Sequence, residues 1–242
     1  MGRMYDDLAE LYHLVYVDWE AAIRRQAASL HAVISQHFPG TTTIHDVSCG
    51  IGTQVLGLLD HGYRMSGSDL SAASIRRLRK ELQGRNKQAH TFVADMSDLS
   101  PGAPQVDVII SCDNSITHLA DPSAIRKCLA GAYAHADQGV ILTVRDYAHE
   151  DFANTFRPYG RRRWQGVEYF LFQNWTVAAD RKSYVTELFI VKNGDDVSAQ
   201  RFRDTYHVHT VDDLISIGYI AGFTTCAVVQ SDHYQPVIVL KK

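Results

Sequence analysis

The chain has 242 residues, a hydrophobic fraction of 45%, a charged fraction of 21% and a formal net charge of −3. That length suits one α/β domain with a sizeable core, and the slight negative charge excludes a general attraction to nucleic acid or to an anionic membrane. No run approaches the roughly 18 apolar residues of a membrane span, and the acidic start (Asp6, Asp7, Glu10) lacks the regions of a signal peptide, so a cytoplasmic protein is expected.

Residues 4–38 read as helical. Leu8, Leu11, Tyr12 and Val15 form one apolar stripe, and Ile23, Ala27, Leu30, Val33 and Ile34 form a second. Tyr5, Tyr12, Tyr16 and Trp19 either cover a sheet edge or cap a ligand pocket. Pro39-Gly40 stops the helix. A strand is expected over Thr43–Ser48, a helix from the following loop to about His61, and a second strand over Arg64–Ser68 that ends at Asp69. A helix over Ala72–Gln83 precedes a third strand, Thr91–Ala94, which ends at Asp95-Met96. The fourth strand, Val106–Ser111, ends at Cys112-Asp113-Asn114. A helix over Asp121–Ala136 leads to the fifth strand, Gly139–Val144, and then to Arg145-Asp146-Tyr147. This alternation predicts a doubly wound, mostly parallel sheet.

After residue 150 the rhythm changes. Residues 151–166 are polar and arginine-rich, and the run Arg161-Arg162-Arg163 reads as solvated or salt-bridged first and as a contact for an anionic substrate second. Three strands follow, over Glu168–Ala178, Ser183–Val191 and Gln200–Val208, with turns at Ala179-Asp180 and Asn193-Gly194. They predict an antiparallel insertion over 151–209 within one domain spanning 1–242. A helix over Val211–Ala221 and strands over Phe223–Gln230 and Gln235–Leu240, the last antiparallel, complete a seven-stranded sheet. Cys49, Cys112, Cys128 and Cys226 form no Cys-x-x-Cys pair, so neither a zinc site nor a disulfide framework is indicated, and no metal is expected.

Asp46-Val47-Ser48-Cys49-Gly50-Ile51-Gly52 lies between the first strand and its helix, where glycines let a ligand rest on bare backbone. The next strand ends supply Asp69, suited to a ribose diol, and Asp95, suited to an adenine amino group. A dinucleotide fingerprint requires a third glycine where this chain has Val55. An acidic cradle also suits a sulfonium cofactor better than one carrying two phosphates.

Those motifs resemble the class I S-adenosylmethionine-dependent methyltransferases. Asn114-Ser115-Ile116-Thr117-His118-Leu119 and Arg145-Asp146-Tyr147 further resemble the glycine N-methyltransferase and glycine/sarcosine N-methyltransferase group, whose second motif reads Arg-Asn-Tyr. The resemblance implies a Rossmann-like methyltransferase fold with an N-terminal helical cap over 1–38 and the three-strand insertion on the substrate side. It implies S-adenosylmethionine as cofactor and S-adenosylhomocysteine as product, with Trp19, Arg24, Asp46, Ser48, Gly50, Gly52, Asp69, Leu70, Asp95, Met96 and Cys112 around the cofactor. Arg24 matches an arginine at the methionyl carboxylate, and Arg145 one that pairs with a substrate carboxylate. Tyr12, Asn114, Arg145 and Tyr147 would bind the acceptor, with Asn114, Tyr16 and His118 as catalytic candidates.

Each residue also has a purely structural reading. Asp69 could be a helix cap, Asn114 a turn cap, His118 a core histidine, and Arg145 a partner of Asp146 or Asp113. The expected reaction is methyl transfer to a small acceptor, an amino acid or small amine first, a carboxylate or hydroxyl of a metabolite second. A noncatalytic cofactor-binding protein and an NAD-dependent oxidoreductase are the other classes. Neither a nucleic acid nor a membrane partner is expected, and monomer and homo-oligomer both stay open.

Overall fold

The computed structural model describes residues 4–99 and 102–242. Seven strands form the main sheet: β1 (Thr43–Asp46), β2 (Arg64–Asp69), β3 (His90–Val93), β4 (Val106–Ser111), β5 (Ala136–Thr143), β10 (Thr225–Val229) and β11 (Val237–Lys241). Their order is β10-β11-β5-β4-β1-β2-β3, with β1 to β5 parallel and β11 antiparallel to both β5 and β10. The expected alternation and the antiparallel last strand are both present. Strand order reverses between β1 and β4, which opens a crevice at their carboxyl ends.

Helices cover both faces. α2 (Trp19–His37), α3 (Thr53–Asp60) and α4 (Ala72–Gly84) bury Ile23, Leu30, Ile34, Leu56, Leu58 and Leu78 on one side. α5 (Pro122–His135) and α6 (Val211–Ile220) bury Ile125, Leu129, Leu214 and Ile217 on the other. Each such side chain contributes about 1.5–3 kcal/mol when fully removed from water. Asp121 caps α5, accepting from the amides of Ser123 and Ala124, with Pro122 in the first turn.

The helical stretch expected over 4–38 is divided into three pieces. It comprises α1 (Met4–Leu8), a 3₁₀ turn (Tyr12–Val15) and α2. Asp18 starts α2 as its N-cap, accepting from the Ala21 amide at 2.9 Å, while Tyr16 is extended. The break leaves carbonyls in need of donors, and Arg162 supplies them. Its Nε donates to Leu14 O at 2.9 Å and to Tyr16 O at 2.7 Å. An arginine from a run that reads as solvated thus holds the cap's bend.

The insertion has four strands, one more than the sequence pattern predicts: β6 (Phe156–Trp164), β7 (Val167–Val177), β8 (Ser183–Asn193) and β9 (Val197–His207), in that order and all antiparallel. The expected Asn193-Gly194 turn joins β8 to β9. The extra strand is β6, at the edge. It carries a register shift between Pro158 and Gly160, and such residues are tolerated at an edge. Little of it is buried, so it lacks the apolar alternation that marks an inner strand. One face of this sheet packs Tyr169, Leu171, Leu188 and Ile190 against Met4, Leu8 and Leu14 of the cap. Trp175 and Tyr184 join it to the core of the main sheet. Among the described residues no helix is long and apolar enough to cross a membrane.

Candidate active site

The loop after β1 turns sharply at Gly50 (φ +51°) and Gly52 (φ +101°), both in the left-handed region that favours glycine. A Cβ at Gly50 would meet nothing within 4 Å, so this backbone is open to a ligand. Gly52 has a different duty. It is the N-cap of α3, and a Cβ there would collide with Leu78 Cδ1. Gly50 N–H donates to Asp69 Oδ2 at 2.9 Å, and Ser71 N–H donates to Asp69 Oδ1 at 2.8 Å. Both oxygens of Asp69 are therefore oriented by backbone and each keeps a lone pair for a ligand. Burial raises the pKa of this carboxyl.

Asp46 lies beneath the loop, fully buried. Oδ1 accepts from Ser48 N–H at 3.1 Å, and Oδ2 has no hydrogen-bond partner among the described residues. Burial pushes its pKa up to about 8, helped by the nearby Asp69 and Asp113 charges. An orphaned, buried carboxylate oxygen is costly unless something positive comes near.

Two adjoining cavities open at the strand ends. The first follows the glycine loop and is walled by Ser48, Gly50, Asp69, Leu70, Asp95, Met96, Cys112 and His118, among others. Five aspartates line it (Asp6, Asp69, Asp95, Asp113 and Asp204), and no lysine or arginine does among the described residues. That balance disfavours a dinucleotide's phosphates and suits a cofactor carrying sulfonium and ammonium charges. The second cavity, about 450 Å³, lies between the cap, the insertion and the loop before β11, and holds Asn114 and Arg145 on its wall. Tyr5, Tyr12, Tyr16 and Asp113 line both. The cap tyrosines therefore cover the ligand pocket. Burial raises the pKa of Tyr12 and Tyr16, which keeps them protonated donors.

The turn after β4 holds Asp113 (φ +57°) and Asn114 (φ +68°) in left-handed backbone, at about 1 kcal/mol each for a residue with a Cβ. Thr143 at the end of β5 clamps it, its Oγ1 accepting from Asp113 N–H at 2.8 Å and its carbonyl from Asn114 N–H at 3.0 Å. Asn114 spends its side chain inside the protein. Nδ2 donates to Tyr147 Oη at 2.8 Å, and Oδ1 accepts from Arg145 N–H at 2.9 Å. His118 meets Tyr5 Oη through Nε2 at 3.0 Å and faces Asp204 through Nδ1 at 3.4 Å. Burial holds this imidazole below its ordinary pKa.

Several expected site residues stand elsewhere. Trp19 is buried in the core, its Nε1–H donating to Thr53 Oγ1 at 2.9 Å, so it supports a wall residue and is not itself on either wall. Arg24 points to solvent, because one residue rotates a helical side chain by about 100°; Arg25 takes the place at the second cavity. Asp46 and Gly52 act from beneath the loop, outside both walls. Tyr147 is buried behind the second cavity, tied to Asn114 and, at 3.1 Å, to Tyr184. Arg145 pairs with neither Asp146 nor Asp113. Its Nη1 meets Glu150 Oε2 at 2.8 Å, and Arg157 Nη2 meets Oε1 of the same glutamate at 2.7 Å. Both guanidinium groups lie over the Trp175 ring, at 4.9 and 4.3 Å from its centroid. Asp146 pairs instead with His149 at the surface.

Gln54, Tyr234 and Arg25 also line the site, and for Tyr234 and Arg25 no sequence signal singles them out. For Gln54 a signal existed, since it sits in the first turn after the glycine loop.

Residues 44–139 match the family model of the methyltransferase domain. The chain is 31% identical over 147 residues to the dTDP-3-amino-3,6-dideoxy-alpha-D-glucopyranose N,N-dimethyltransferase of Streptomyces fradiae, a match covering 60% of this chain and 56% of that protein. It is 27% identical over 136 residues to the glycine/sarcosine N-methyltransferase of Parasynechococcus marenigrum, covering 56% and 47%. The chain thus spans about half the length of the curated relatives it matches. An amino pentose methyltransferase of Micromonospora echinaspora, involved in calicheamicin biosynthesis and solved with S-adenosylmethionine bound, superposes with a TM-score of 0.79 at 16% identity, covering 96% of this chain and 94% of that one.

Residues 44–139 thus match a methyltransferase domain, and in sequence and fold the chain is similar to class I S-adenosylmethionine-dependent methyltransferases. Within that class its relatives include N-methyltransferases of small molecules, as the Asn114–Leu119 and Arg145–Tyr147 motifs imply.

Proposed function

We propose that this chain transfers a methyl group from S-adenosylmethionine to the amine of a small molecule, an amino sugar first and an amino acid second. The observation that carries the reading is the pair of adjoining cavities: an acid-lined groove over the glycine loop, and a roomier acceptor chamber meeting it at Tyr12, Tyr16 and Asp113. Bound there, the cofactor supplies an activated methyl group whose bonding electron pair stays on sulfur. This chain's own residues then have to align and shield. Asp69 and the Gly50 backbone hold the ribose side, and Asp46 props the loop from beneath by accepting from the Ser48 amide. The cap tyrosines exclude water and orient the acceptor; such positioning is worth up to about 7–11 kcal/mol of the barrier.

The relatives supply the candidate acceptors, a dTDP-linked 3-amino sugar and glycine or sarcosine. Asn114, Tyr16 and His118 remain the catalytic candidates, with Tyr12, Asn114 and Arg145 toward the acceptor. Residues 1–242 act as one unit in this reading, the insertion forming part of the acceptor side. A macromolecular partner such as nucleic acid is not part of it, and the four buried free thiols suit a reducing cytoplasm.

The test is incubation of purified protein with S-adenosylmethionine and each candidate amine, read by mass spectrometry. A gain of one or more methyl groups on nitrogen is expected. Methylation on oxygen alone, or cofactor binding without transfer to any amine or acid, overturns the proposal.

A further inference from the structure

The loop after β4 places one carboxylate on the boundary of the two cavities. Oδ2 of Asp113 accepts from Tyr16 Oη at 3.0 Å and from Gln54 Nε2 at 3.1 Å, and Oδ1 accepts from Tyr234 Oη. The donors come from three separate parts of the chain. Gln54 lines the cofactor cavity alone, Tyr234 lines the acceptor cavity alone, and Tyr16 lines both. Asp113 therefore straddles the point at which donor and acceptor must meet. Its backbone is held in the left-handed region by Thr143, so the carboxylate is aimed by the fold and not by chance rotation.

All three partners are neutral. Among the described residues no lysine, arginine or histidine forms an ion pair with Asp113, although Arg25 and Arg145 share the acceptor cavity. Burial raises the pKa of Tyr16 and of Tyr234, whose neighbour Asp113 raises it further. Those phenols stay donors, and the carboxylate stays without a countercharge. A half-buried carboxylate supplied with hydrogen bonds but no cation is a site for an organic cation.

We infer that Asp113 binds the protonated amine of the acceptor and takes its proton, which makes the chain selective for basic amines over carboxylate or phenolate acceptors. This rests on the N-methyltransferase reading above. The step is a proton transfer: R–NH₃⁺ and the carboxylate become R–NH₂ and the carboxylic acid, and the nitrogen lone pair is freed for attack. The proton then passes to water through the open mouth of the acceptor cavity. An anionic acceptor would instead face an uncompensated like charge at the point of transfer.

The test compares wild type with Asp113→Asn on two acceptors at pH 7.5: a dTDP-linked 3-amino sugar, and its 3-hydroxyamino analogue, which is weakly basic and already neutral. With the amine, kcat/KM should fall about 10²- to 10⁴-fold. Its affinity for cofactor-free protein, read by calorimetry, should fall about tenfold or more. With the hydroxyamino analogue both quantities should change less than about threefold, because no proton has to be removed. A cooperative thermal transition and a wild-type circular dichroism spectrum report an intact fold; where Asp113→Asn does not fold, Asp113→Ser carries the same comparison. Equal losses on both acceptors, or none on either, overturn the role of Asp113 alone. Wild-type protein that binds S-adenosylhomocysteine yet methylates neither acceptor overturns the N-methyltransferase reading and this inference with it.

Discussion

Gly50 N–H donates to Asp69 Oδ2 at 2.9 Å, so the loop that ends β1 and the carboxylate that ends β2 form one unit. The carboxylate is aimed before any ligand arrives, and a ligand lying on the glycine loop meets it without rearrangement.

Replacing Asp69 tests that unit. Asp69→Ala removes both the ligand-facing oxygens and the acceptor for Gly50 N–H. S-adenosylhomocysteine affinity should drop about 10- to 100-fold, the range for losing charge-assisted hydrogen bonds of about 1.5–3 kcal/mol. Unaltered affinity in titration calorimetry removes Asp69 from the cofactor site.

The two glycines of the loop should fail in different ways. Gly52→Ala places a Cβ against Leu78 Cδ1 in left-handed backbone, so it should destabilise the fold by about 2–4 kcal/mol. Gly50→Ala has open space around it and should cost only about 1 kcal/mol of stability. Its methyl group projects where a ligand would rest, so it should weaken S-adenosylhomocysteine binding. Thermal unfolding and calorimetry on both variants separate the two roles; equal stability losses would contradict this division.

Trp19→Phe removes an indole N–H bonded to Thr53 Oγ1 in the core. Unfolding should become easier by about 1–2 kcal/mol, while S-adenosylhomocysteine affinity changes by less than about threefold. A loss of affinity beyond tenfold with unchanged stability would return Trp19 to the cofactor wall.

Asp46 should make stability depend on pH. Its folded-state pKa, about 8, lies above the ordinary carboxylate value, so the folded protein keeps a proton that the unfolded chain releases. The contribution is full below about pH 4, falls as pH rises toward 8, and is gone above the folded-state value. Asp46→Asn mimics the protonated form and abolishes this term. The gain in melting temperature of the variant over wild type should be larger at pH 8.5 than at pH 5. A gain independent of pH overturns the assignment.

Much of the site was legible because strand ends and glycine loops announce themselves locally. Asp69, Asp95, Met96 and Cys112 lie at or just beyond their strand ends in the chain, and the fold brings them to one wall. Where the structure departs from the sequence pattern, packing and pairing between elements decide the outcome. Arg24 and Arg25 differ by one helical step, and only the packing of α2 selects the second. β6 is not legible in the sequence because an edge strand with Pro158, Gly160 and four arginines shows no apolar rhythm. The sequence offers Asp146 or Asp113 as partners of Arg145, whereas Glu150, shared with Arg157, takes that place.

Sequence alone determined the class of fold and the class of cofactor. Helical and strand periodicity, turn residues and the acids that close successive strands are properties of a few consecutive residues, and they survive without knowledge of the rest. Tertiary structure alone decided what faces the transferred group. Asp113 is met by Tyr16 from the cap, Gln54 from α3 and Tyr234 from the loop before β11, the last 121 positions away. No local pattern encodes that meeting. It exists because β11 lies beside β5 and the cap bends over the strand ends, which the burial of the whole core imposes.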